Sequence, residues 1–110
     1  MNILENKNGN IVILAPQGRL DITNSGDLEK KLLSLIDIGE KQFILDFRNL
    51  IYISSNGLRA LLVGAKRLKG EGGTIVLCSM AEQIKEVFDC AGFSSIFKIY
   101  STDTEALEAF

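Results

Sequence analysis

The feature that most constrains the fold is the run Gln42-Phe43-Ile44-Leu45-Asp46-Phe47, set between two helical stripes. From Phe43 onward it is apolar apart from Asp46, without the alternation of a strand that has one solvated face. Such a run suits a strand covered on both sides or lying at a sheet centre. Before it, Leu28, Leu32, Leu35 and Ile36 make one face of a helix predicted over 25–38. After it, Leu58, Leu61, Leu62 and Ala65 recur at i, i+3, i+4 and i+7 of a helix predicted over 56–69. A strand between helices that each carry one apolar face is the unit of an α/β sheet.

The rest of the chain extends this pattern. Asn8-Gly9, between Ile3-Leu4 and Ile11-Val12-Ile13-Leu14, signals a hairpin turn because both residues tolerate positive φ. Pro16 has no N–H to pair and should end the second strand. Gly18-Arg19-Leu20-Asp21 reads as a loop or strand extension, and Thr23, Asn24 and Ser25 as N-cap candidates. Gly39 suits the position just past the first helix. Gly70-Glu71-Gly72-Gly73 stops the second, and Thr74–Cys78 is the fourth strand. Ser79-x-x-Glu82 reads as a capping box for a helix over 80–91, with Ile84, Val87, Phe88 and Ala91 inward and Gly92 at its end. Ile96–Tyr100 is a fifth strand. Thr102-x-x-Glu105 opens a last helix over 102–109. The expectation is an α/β domain: an N-terminal β-hairpin, then alternating helices and strands, about five strands and four helices. Short connections make the third to fifth strands parallel to the second, with right-handed crossovers.

Composition narrows the chemistry. A single domain over residues 1–110, 46% hydrophobic, can fill a core. The net charge is -2 with acids and bases interspersed, so no nucleic-acid partner is expected. No apolar run approaches the ~18 residues of a membrane span. A soluble, cytoplasmic protein without membrane insertion is expected. Histidine is absent, which removes Ser-His-Asp triads and most catalytic zinc sites. Ser55 has Leu58, not a lysine base, three residues on, so a small hydrolase using Ser55 is disfavoured. Lys69-Gly70-Glu71-Gly72-Gly73 lacks the phosphate-loop spacing and precedes a strand. Cys78 and Cys90 match no zinc motif and read as two reduced core thiols. No enzyme activity, metal or cofactor is expected.

One turn stands out. In a parallel sheet, functional loops gather at the carboxyl ends of the strands. Asp21 and Thr23 follow the second strand, residues 51–57 the third and residues 79–81 the fourth, so these loops should converge with Ser55 in the middle. Ser54 and Ser55 lie where a helix begins. A serine oxygen there can cap the helix, and a phosphate there would be held by unpaired N–H groups. Arg59, Val63 and Arg67 lie off the leucine stripe, on the outer face of that helix.

Gly18-Arg19-Leu20-Asp21, the strand Phe43-Ile44-Leu45-Asp46, the turn Ser54-Ser55-Asn56-Gly57-Leu58, the later Gly72-Gly73, and Val87-Phe88 before Gly92-Phe93 follow one another in the order and spacing of a known family. Across essentially its whole length the chain resembles the anti-sigma factor antagonists, small single-domain members of the STAS family. The resemblance implies a small βα sandwich or superhelix. It also implies partner switching. The unphosphorylated protein binds an anti-sigma factor that is itself a serine kinase, and a sigma factor is freed. Phosphorylation of the turn serine ends the interaction, and a serine phosphatase resets it. Residue by residue, the phosphoacceptor falls on Ser55, with Ser54 the other candidate. The family usually carries Asp where Ser54 stands, so a hydrogen-bonding group replaces a charge. Asp21 matches the acidic residue beside the acceptor. Asp21, Thr23, Ser54, Asn56, Gly57, Arg59 and Val63 are the expected partner-binding residues, with Gly57 allowing close approach of a partner backbone. The other reading is a STAS subunit of a transporter or another signalling complex that uses this surface without phosphorylation.

Overall fold

The computed structural model describes all residues from Met1 to Phe110. Strands β1 (Ile3–Asn8) and β2 (Ile11–Pro16) form the expected antiparallel hairpin, with Gly9 at a φ of 63° in its turn. Strand β4 (Gln42–Asp46) pairs in parallel with β2 and with β6 (Thr74–Cys78), and β6 pairs in parallel with β7 (Lys98–Tyr100). The sheet order is β1-β2-β4-β6-β7, so the apolar run identified from sequence is the central strand. Both of its faces are covered, which is why it lacks alternation.

Helices α1 (Ser25–Asp37), α2 (Ser55–Gly70) and α3 (Glu82–Cys90) bury their stripes on one face of the sheet. Leu28, Leu32, Leu61, Ile84 and Phe88 meet Leu14, Phe43, Leu45 and Leu77 there. The short α4 (Asp103–Glu108) covers the other face, with Ala106 against Ile44, Val76 and Cys78. Leu61 and Phe88 are fully buried, as the helical periodicity required. Each such side chain contributes roughly 1.5–3 kcal/mol on leaving water.

Four local expectations are corrected. Gly18–Leu20 is a strand, β3, and Leu50–Ile53 is a strand of its own, β5; the two pair in parallel as a separate two-stranded sheet. The chain therefore does not pass straight from the third main-sheet strand into α2. Ser79 does not cap α3. Its φ is 60° and its N–H donates to the Tyr100 carbonyl at 3.1 Å, so the chain turns there and α3 starts three residues later behind Ala81. Ile96 and Phe97 are not strand, because a 3-10 turn at Phe93–Ser95 takes up that length. Cys90 is exposed, not a core thiol, since the buried stripe of α3 runs through Ile84 and Phe88. Thr102 does cap the last helix, its hydroxyl accepting from the Glu105 N–H at 3.1 Å.

Candidate functional site

Ser54 and Ser55 divide the roles that the sequence left shared. Ser54 is the N-cap of α2, in extended conformation, and its Oγ accepts from the Gly57 N–H at 3.3 Å. Its own N–H donates to the Leu20 carbonyl at 2.9 Å, which ties the end of β5 to the end of β3. Ser55 is the first helical residue, not the cap. It is exposed, and no other group of the domain hydrogen-bonds its hydroxyl. The backbone N–H groups of Ser55 and Asn56 lie in the first turn, where no helical carbonyl reaches them.

The β3–β5 pairing sets Asp21 beside Ser54. The loop that carries Asp21 is fixed by its own bonds. The Asp21 carboxylate accepts from the Thr23 hydroxyl at 2.6 Å and the Thr23 N–H at 3.0 Å. The Asp21 N–H donates to Asn24 Oδ1 at 2.9 Å, and Asn24 Nδ2 donates to the Arg19 carbonyl at 2.7 Å. Asn24 thus occupies the N-cap position of α1 but spends its side chain on the preceding loop. The Arg19 guanidinium lies 3.7 Å from Asp21 and 4.1 Å above the Tyr52 ring centroid. The Thr23 hydroxyl, then the Thr23 N–H, hold the Asp21 carboxyl below its ordinary value. Asp21 therefore remains charged at neutral pH, and its stabilising bonds weaken only as the pH falls below the usual carboxylate range.

Gly57 has a different role from the one expected. It is buried, and a Cβ there would come within 2.8 Å of Ile53 Cγ1 and 2.9 Å of Leu20 Cγ. The close approach is to the domain's own β3–β5 sheet, not to a partner. Gly57→Ala should therefore lower stability by about 1–2 kcal/mol, because overpacking outweighs the gain in helix propensity. Urea denaturation measures this; an unchanged or raised midpoint would contradict the tight seat.

The other expected positions are only partly assembled. Asn56 and Arg59 are exposed near Ser55, whereas Val63 is half-buried. Arg67 is not free for a partner: it bonds Asp37 of α1 and Glu71, each at 2.5 Å. The 79–81 loop does not supply the third wall. Ser79 and Met80 turn toward Tyr100, and α3 flanks Ser55 instead. Ser55, Leu58, Gln83, Glu86, Val87 and Cys90 line one shallow depression between α2 and α3. Sequence reasoning missed this wall, and it also missed the exposed Ile22, Ile51 and Tyr52, which are 73%, 63% and 40% accessible. Large apolar residues in the two segments that meet at the turn, Ile22 after Asp21 and Ile51-Tyr52 before Ser54, were the available signal. No three metal-ligating side chains converge in the structure, and no helix is long and apolar enough to cross a membrane.

The two thiols differ sharply. Cys78 is buried at the end of β6, and burial pushes its pKa up to about 11. Its thiolate is negligible at neutral pH. A maleimide should therefore modify the folded protein once, at Cys90, with Cys78 reacting only in denaturant. Two adducts without denaturant would contradict the burial of Cys78.

The comparisons with known proteins agree with this geometry. The family of the STAS domain matches residues 2–106. A Bordetella bronchiseptica protein designated an anti-sigma factor antagonist, BtrV, is 37% identical over 110 residues, covering 100% of this chain and 95% of its own. The anti-sigma-B factor antagonist of Bacillus subtilis is 26% identical over 99 residues, covering 90% of each chain. The crystal structure of a Thermotoga maritima protein designated an anti-sigma factor antagonist superposes with a TM-score of 0.93, at 26% identity, covering 97% of this chain and 92% of that one. With the family matched over residues 2–106 and a relative 37% identical over the whole of this chain, the chain belongs to the STAS domain family.

Proposed function

We propose that the chain is a phosphorylation-switched anti-sigma factor antagonist. It binds a kinase-type anti-sigma factor while Ser55 is unmodified, and so releases a sigma factor. Phosphorylation of Ser55 by that partner ends the interaction, and a serine phosphatase restores it. The protein acts as a single STAS domain over residues 1–110, in the cytoplasm, by binding and not by catalysis. The observation that carries this reading is the Ser55 hydroxyl: exposed, bonded to no other group of the domain, and at the first turn of α2. The Ser54 hydroxyl is already engaged as the cap, which favours Ser55 as acceptor. Around it, Asp21, Thr23, Ser54, Asn56 and Arg59 form the polar portion of the docking face, and the exposed part of Val63 adjoins them. Ile22 and Tyr52 give it apolar anchors of the kind that dominate interface energetics. Gly57 supports this face from beneath. The designation of the BtrV relative supports the partner class.

The test is intact-mass analysis and site mapping of the protein recovered from its own cells, across growth conditions. One phosphate, on Ser55, is expected. A phosphate mapped to Ser54, or none under any condition in which the anti-sigma partner is present, would overturn the switch.

A further inference from the structure

A second surface lies at the opposite end of α2, about 16 Å from Ser55 at the 1.5 Å rise per residue of a helix. Its origin is a mismatch of strand lengths. β6 begins at Thr74, but β7 begins only opposite Val76, because the 3-10 turn at Phe93–Ser95 and the following Ile96-Phe97 delay it. Phe97 is buried as the anchor of this segment, and Ile96 is left 54% exposed beside it. Two concavities adjoin at this pair. One, of about 500 Å³, lies against α2, where Leu62, Ala65, Lys66 and Lys69 recur at i, i+3, i+4 and i+7. The other, of about 580 Å³, lies between α3 and β7 and is lined by Lys85, Asp89, Ser94, Lys98 and Tyr100. Neither shares a residue with the depression at Ser55.

The charge here is mainly positive, four lysines against one acid, and the lysines are unpaired. Lys66, Lys69, Lys85 and Lys98 have no carboxylate within ion-pair distance; Lys7, Arg19, Lys31, Arg48 and Arg67 are paired, and the other unpaired cations, Lys30, Lys41 and Arg59, line neither concavity. The one acid in the band, Asp89, accepts from the Ser94 hydroxyl. This concentration occurs on a chain whose net charge is -2, so it is not a general basic character. β7 is also an outer strand of the sheet, with one edge unpaired.

We propose that this band is a second docking surface, for an extended acidic segment of a partner protein with apolar side chains at alternate positions. Its apolar side chains enter the concavities on either side of Ile96, and the lysines that rim those concavities reach, on their flexible stems, the carboxylates at the neighbouring positions. Edge pairing with β7 is brief, because that strand has only three residues, and the side chains carry most of the binding. Two shallow concavities in series suit a chain segment better than a compact small molecule. The surface is separate from Ser55, so its occupation is compatible with the switch.

The probe is a short peptide of alternating glutamate and leucine, titrated into isotope-labelled protein and followed by amide chemical shifts. The lysine–leucine counterpart is the control. The expected shifts are at Ile96, Lys98, Tyr100, Lys66 and Lys69, with Ser55 and Asn56 unmoved. Binding should weaken as salt rises. It should weaken about tenfold or more in Lys66→Glu/Lys69→Glu and stay unchanged in Lys30→Glu, which makes the same charge reversal on α1. The proposal is overturned by absence of binding, by equal binding of the lysine peptide, by shifts centred on Ser55, or by wild-type affinity of the folded double variant.

Discussion

Ser55→Asp should fold normally and bind the anti-sigma partner about a hundredfold or more weakly, a loss of ~3 kcal/mol, whereas Ser55→Ala should bind like the wild type. The fold tolerates the carboxylate because Ser55 is exposed at a helix N-terminus, where negative charge is favoured by roughly 0.3–1 kcal/mol. The interface does not. Asp21 is already ionised beside Ser54, and its oxygens are committed to Thr23 and Arg19. A second anion on this face adds like charge to a surface surrounded by apolar Ile22 and Tyr52, where a partner excludes water. Phosphate should act more strongly still, because it carries about −1.5 to −2 charge and three acceptor oxygens. Calorimetric titration of both variants with the purified partner measures the difference. Equal affinities would remove Ser55 from the switch and favour a STAS subunit that uses this face without modification.

Phe88→Ala should cost about 3–5 kcal/mol, a large part of the 5–15 kcal/mol typical of a domain. Phe88 is fully buried and lies at the centre of an aromatic cluster, with ring centroids 6.2 Å from Phe47, 6.2 Å from Phe93 and 6.3 Å from Phe97. Removing the ring leaves a cavity that three other aromatic rings cannot collapse to fill. The effect reaches the site, since the cluster seats α3, and α3 supplies the wall of the depression that holds Ser55. Thermal unfolding should fall by more than about 10 °C at the few degrees per kcal/mol of a domain this size. A loss under about 1 kcal/mol would mean that other contacts, not this cluster, hold α3 on the sheet.

The hairpin, the central strand, the three packed helices and their parallel order were legible in the sequence, because each is recorded locally. Gly9 encodes the hairpin turn, although the turn is Gly9-Asn10 and Asn8 ends β1; the unbroken Phe43–Leu45 run encodes burial on both faces, and the stripe through Leu58 and Leu61 encodes a helical face. Ser55 was legible as a candidate for the same reason: it stands between a strand pattern and a helix pattern. The separation of Ser54 as cap from Ser55 as free hydroxyl was not. It depends on where β5 ends, and β5 exists only because Leu50–Ile53 finds Gly18–Leu20 some thirty residues earlier in the chain. That pairing also buries Gly57 and sets Asp21 beside the serines. Likewise Ser79-x-x-Glu82 has the letters of a capping box, but the Tyr100 carbonyl, distant in sequence, takes the Ser79 N–H and bends the chain first. Arg67 looked free on its helix face until α1 brought Asp37 to it. Local chemistry thus determined the elements and the position of the functional turn. Tertiary structure decided which side chains remain free there, because a hydrogen-bonding or charged group is available to a partner only when no other part of the chain has reached it first.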